Sequence, residues 1–125
     1  DLLPNAAELE AEWYRRTGVY PMHGTIVVKE AVLKEHPWVA RSLYNAFAQA
    51  KHDWWAGLNR RIDSNVLLHG DRKYADLSKL VGDPLPYGLN ENLPTIRALE
   101  ATAFKQQLTP RRMTIDELFV DPDKA

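Results

Sequence analysis

The chain has 125 residues, a length that fits one domain of ordinary size. Apolar residues make up 45% of it and charged residues 26%, which excludes a disordered tail, a collagen-like chain and a low-complexity chain. Sixteen basic and seventeen acidic residues leave a net charge of -1, so no global pull toward nucleic acid or an anionic membrane follows. Cysteine is absent, which excludes disulfides, thiolate catalysis, zinc fingers and iron–sulfur clusters. No apolar run approaches the roughly 20 residues that span a bilayer.

The first residue is Asp1, and no signal-peptide pattern follows it. This implies a processed product or a piece of a longer chain. Asn5 and Glu8 stand in capping-box spacing, and Ala6, Leu9 and Trp13 share one helical face. Gly18 is placed to end that helix, after Arg15 and Arg16 at its negative end. The pattern predicts a helix over about residues 6–17. The β-branched run Thr25-Ile26-Val27-Val28 has no polar alternation and predicts a short strand buried on both faces. One strand cannot satisfy its own backbone groups, so a partner from a parent chain or another subunit is expected.

Glu30 to Glu35 reads as a short helix ended by His36-Pro37. From Pro37 to about Ile62, the residues Val39, Leu43, Ala46, Phe47, Ala50, Trp54 and Leu58 form an apolar stripe at i+3 and i+4 spacing, the mark of a long helix. Asp71 is placed to cap a helix through Val81, stopped by Gly82. Two prolines, a glycine and two asparagines make residues 83–93 a structured loop. Asn92 and Pro94 then open a helix to about Gln107, and Thr114 with Glu117 is a capping box for a last short one.

Phosphate-binding glycine loops, dinucleotide fingerprints and nucleophile elbows are absent. His23, His36, His52 and His69 are far apart, so spacing supports no metal site. No cofactor is expected, and a nucleic-acid groove is not supported by the scattered basic residues.

Two stretches carry a resemblance. The first runs from Arg15-Arg16-Thr17-Gly18-Val19-Tyr20-Pro21-Met22-His23 through the expected strand to His36-Pro37-Trp38-Val39-Ala40-Arg41-Ser42-Leu43-Tyr44-Asn45-Ala46-Phe47. The second is Pro86-Tyr87-Gly88-Leu89-Asn90-Glu91-Asn92-Leu93-Pro94-Thr95-Ile96, continued by Gln107-Leu108-Thr109-Pro110 and Glu117-Leu118-Phe119. Together they resemble the C-terminal part of the 4,5-dihydroxyphthalate decarboxylase family and the solute-binding-protein-like sequences grouped with it. The chain departs from the family pattern twice. The family's Pro-Ile-Met-His-Thr reads Pro21-Met22-His23-Gly24-Thr25 here, and its Asn-Arg-Pro reads Asn92-Leu93-Pro94.

The resemblance implies an α/β, helix-dominated section of a type 2 periplasmic-binding-protein-like fold, with one short strand and five or six helices. Residues 1–125 would form a single domain or a fragment of a longer two-lobe chain. The implied activity is decarboxylation of a dihydroxylated aromatic dicarboxylate. The alternative is a non-catalytic solute-binding protein that delivers a small organic anion to a transporter. The expected partners are that small anion, the rest of a parent chain and a second copy, without membrane insertion. The enzyme reading places the protein in the cytoplasm and the binding reading in the periplasm.

Under the enzyme reading, His23 handles the proton, because histidine is the usual proton carrier near neutral pH. Arg16 anchors a carboxylate through bidentate pairing. Tyr20 and Tyr87 stack on the ring, and Asn92 binds substrate from a loop. Plainer roles stand beside these. Arg16 also complements a helix end, Tyr20 and Tyr87 also serve as half-buried packing, and Asn92 also shapes a turn or caps a helix.

Overall fold

The structure, a computed structural model, describes residues 3–124. Its regular elements are α1 (Ala6–Thr17), α2 (Glu30–Glu35), α3 (Trp38–Asp63), α4 (Asp71–Val81), α5 (Leu89–Lys105) and α6 (Ile115–Leu118). They fall into two compact units. One holds the residues up to Thr25 together with Gly88–Phe119, the other Ile26–Tyr87 together with the residues from Val120 on.

Among the described residues there is no strand and no sheet. This corrects the α/β expectation and, with it, the binding-protein architecture that the resemblance implied. Thr25–Val28 has no regular structure, and Ile26 and Val27 are 58% and 86% exposed rather than buried on both faces. The physical reason is that β-propensity describes a side chain's fit to a pleated surface. Without a neighbouring edge, the run has nothing to pair with and its backbone stays open to water.

In the first unit, α1 ends where the sequence places its stop. Gly18 turns at φ 67°, and its N–H donates to the Tyr14 carbonyl at 2.7 Å. That left-handed turn is where glycine costs least. At the other end, Asn5 precedes the first turn but its side chain makes no capping bond. α5 starts at Leu89, earlier than the expected entry at Asn92–Pro94, and encloses Pro94. The Asn92 Nδ2 donates to the Gly88 carbonyl at 2.9 Å and supports this added first turn. Pro94 lacks an N–H, so the helix forgoes one bond just past its start. Thr95 and Ile96 form this unit's buried positions, at 6% and 3% exposure.

Beyond α5, the Glu100 carboxylate accepts from Arg112 Nε and from the Met113 N–H, each at 2.8 Å, which ties the following loop back to the helix. The capping box of α6 forms as its spacing predicts. Thr114 N–H donates to Glu117 Oε2 at 2.8 Å, and Glu117 N–H donates to the Thr114 carbonyl at 3.2 Å. Arg111 Nη2 also donates to Glu117 Oε1 at 2.6 Å.

That cap has a pH signature. The Arg111 guanidinium first, and then the Thr114 amide and hydroxyl, hold the Glu117 carboxyl at about 2, against an ordinary 4.5. A depressed carboxylate contributes its stability fully above the unfolded value and loses it as pH falls toward the folded one. The α6 cap is therefore expected to stay intact down to pH 4.5 and to be lost between there and about 2. The Thr114 amide shift, followed by NMR in a pH titration, checks this. Fraying centred at the ordinary value would contradict the cap.

In the second unit, α3 is the long helix that the apolar stripe predicts, but the stripe is covered unevenly. Leu58 is completely buried, Trp54 half-buried, and Phe47 and Trp38 are 42% and 61% exposed. Covering contacts from α4 and the loop after it reach the C-terminal half of α3. Trp54 meets Tyr74 edge to face at 5.0 Å, and Arg61 meets Asp71. Asp71 does not cap α4 as the sequence suggests. Gly70, at φ 91°, takes the cap position, and Asp71 becomes the first helical residue. Its buried carboxylate accepts from Arg61 Nε at 2.8 Å, Arg61 Nη2 at 3.0 Å and the Leu68 N–H at 2.8 Å. The Arg61 guanidinium holds this carboxyl below the usual range and outweighs burial, which pushes the other way.

Candidate functional site

Parts of the two stretches that carry the resemblance, residues 15–23 and 88–96, meet inside the first unit. The Thr95 hydroxyl accepts the Tyr20 N–H at 3.0 Å and donates to the Tyr20 carbonyl at 2.8 Å. One side chain on α5 thus satisfies both backbone groups of a residue 75 positions earlier. Nearby, a methyl added at Gly18 would lie 3.9 Å from the Pro94 ring, so the turn after α1 rests on the first turns of α5. The Tyr20 ring meets Tyr14 edge-on at 6.3 Å. An irregular segment with few regular bonds of its own is therefore held by α5.

The predicted site residues distribute around this junction unevenly. Tyr20 and Asn92 are half-buried there, with Asn92 one helical turn before Thr95 and Ile96 and so on their face of α5. Arg16 lies exposed in the last turn of α1, two residues before Gly18. His23 lies exposed in the irregular segment, three residues after Tyr20. Tyr87 belongs to the other unit. Thr95 is not among the residues to which the motifs assign a role. Its only advance signal was its place in the second motif, since a hydroxyl within an apolar Leu-Pro-Thr-Ile run needs a partner when buried.

Tyr87 is instead part of a cleft in the second unit. The cleft holds about 350 Å³ and is lined by Ala50, Lys51, Trp54, Tyr74, Leu85 and Tyr87. Lys51 Nζ sits 5.0 Å from the centroid of the Tyr87 ring and is ion-paired with the Asp83 carboxylate. The other Asp83 oxygen accepts the Leu85 N–H at 3.0 Å, which folds the loop over the helix. Sequence reasoning missed Lys51. Its i+3 spacing to Trp54, which puts it on the same helical face, was the available signal.

Among the described residues, no group of three or more histidine, aspartate or glutamate side chains gathers as a metal-ligand cluster. No helix among them is long and apolar enough to cross a membrane.

No protein-family model matches the chain. A protein described as 4,5-dihydroxyphthalate decarboxylase, from Comamonas testosteroni, is 28% identical over 123 residues. The match covers 94% of this chain and 36% of that protein, so the chain spans about a third of its relative's length. This is a distant relationship to a decarboxylase.

Proposed function

We propose that the chain is the part of a decarboxylase-like protein that engages an aromatic acid related to 4,5-dihydroxyphthalate. One observation carries the reading. The two motif stretches are far apart in sequence and are joined by Thr95 and the Tyr20 backbone. The single relative named above, over almost the whole of this chain, supports the same reaction class.

Decarboxylation breaks the bond between a ring carbon and a carboxylate. The carbon dioxide leaves, the bond's electron pair stays on the ring carbon, and that carbon takes up a proton. The residues at the junction divide these tasks. Arg16 pairs with a carboxylate of the substrate in the bidentate geometry that guanidinium offers. His23, exposed on the segment that Thr95 anchors, delivers the proton. The Tyr20 ring packs against the substrate ring, and Asn92 donates to a ring hydroxyl or the second carboxylate.

Single substitutions in the complete protein test these roles. His23→Ala is expected to lower kcat by roughly 10²–10⁴, the usual worth of a general acid. Arg16→Met is expected chiefly to raise KM, because it removes a contact made before and during the reaction. Turnover of 4,5-dihydroxyphthalate that His23→Ala leaves nearly unchanged would remove His23 from the mechanism.

A further inference from the structure

We propose that the cleft of the second unit binds a single-ring aromatic carboxylate, its ring among Trp54, Tyr74 and Tyr87 and its carboxylate on Lys51 Nζ. The inference goes beyond the decarboxylase reading, whose roles for Arg16, Tyr20, His23 and Asn92 fall in the other unit; of the residues expected from sequence to contact substrate, Tyr87 lies in this one.

Size sets the first limit. About 350 Å³ lies at the low end of the range for small-molecule sites, roughly 300–1,000 Å³. It suits one ring with its substituents rather than a nucleotide or a peptide. The walls set the second. Three aromatic side chains and Leu85 line the space, and Trp54 and Tyr74 are already fixed edge to face at 80°. Aromatic side chains prefer a ring placed edge-on or offset over a saturated chain.

Charge sets the third. Lys51 is the cation in the lining, and its side chain is 20% exposed, whereas that of its partner Asp83 is 45% exposed. Lys51 already stands over the Tyr87 ring, so a cationic ligand would meet both an occupied aromatic face and a like charge. An anionic ligand pairs with Lys51 and meets Asp83 as its competitor there. Its carboxylate replaces the Asp83 oxygen on Lys51 like for like. Asp83 is left facing water and still accepts the Leu85 N–H through its other oxygen. Lys51 keeps a carboxylate partner throughout the exchange, so its largely covered charge is never left unpaired. Asp83 thus acts as a built-in competitor for Lys51.

Isothermal titration of the chain with benzoate tests this, with benzamide and cyclohexanecarboxylate as controls. Benzoate is expected to saturate, and each control to bind at least about fivefold more weakly, since one lacks the charge and the other the ring. Lys51→Met, which keeps an unbranched stem, should weaken benzoate about tenfold, and Lys51→Arg should retain it. Asp83→Asn keeps the acceptor for Leu85 but removes the competing charge, so it should tighten benzoate several-fold. This gain is a result that misfolding cannot produce. Failure of benzoate to saturate, equal affinity in Lys51→Met, or an unchanged affinity in Asp83→Asn would each overturn the proposal. Benzoate is not turned over in this assay, so its failure and that of the decarboxylase reading are separate.

Discussion

Replacing Leu58 by alanine is expected to lower the stability of the second unit by about 2–5 kcal/mol, the usual cost of a fully buried leucine. Leu58 is the one large side chain among the described residues with no exposed surface. It lies on the stretch of α3 that carries Trp54 and Arg61, the residues that meet Tyr74 and Asp71 of α4. Truncation removes the transfer energy of the lost carbons and leaves a cavity, and the two costs add. With so few fully buried side chains to share the load, the loss is a large fraction of what a small body of this size holds. Urea unfolding checks it. The midpoint is expected to fall with an unchanged slope, because the same surface is exposed on unfolding. A change under about 1 kcal/mol would mean that the core of this unit lies elsewhere.

Thr95→Val is expected to have the second largest effect, and on function as well as stability. Valine keeps the shape of threonine but removes the hydroxyl that serves both the N–H and the carbonyl of Tyr20. Leaving such groups without a partner costs about 1–3 kcal/mol. The Tyr20 amide should then exchange with solvent roughly tenfold faster or more, a free-energy change of about 1.4 kcal/mol per tenfold. In the complete protein, turnover should fall with it, because His23 and Tyr20 lie on the segment that Thr95 anchors. Thr95→Ser restores the hydroxyl and is expected to restore both readouts. Faster exchange with unchanged turnover would make the contact structural only.

Much of the helical framework can be read from local signals. The α1 stop at Gly18, the span of α2 between Glu30 and His36-Pro37, and the Thr114–Glu117 box each depend on neighbours within a few residues. Periodicity likewise predicts α3, because a stripe of that length has few alternatives. The failures occur where contacts outside the expected pattern decide the outcome. Thr25–Val28 has the composition of a strand, but a strand exists only with a partner edge. Pro94 looks like a helix entry, yet Asn92 and Gly88 extend the helix backward past it. Asp71 looks like a cap, but the nearby Arg61 guanidinium and Leu68 N–H claim its carboxylate.

The site follows the same division. The resemblance implies roles for Tyr20 and Asn92, and the fold places both near the junction made by Thr95. The Thr95 contact spans 75 positions and leaves no periodic trace. Tyr87 belongs to the other unit for a similar reason. Its partner is Lys51, and that lysine is held by Asp83, 32 positions away. No pattern of spacing reports a pairing of that kind.

Release of labelled carbon dioxide reports the reaction class without assuming which residues act. The complete protein would be given 4,5-dihydroxyphthalate labelled in its carboxyl carbons, and the released gas counted against time. Catalytic release is expected, many equivalents per protein molecule, falling sharply in His23→Ala. Saturable binding of the labelled acid with no release beyond the uncatalysed rate would contradict it.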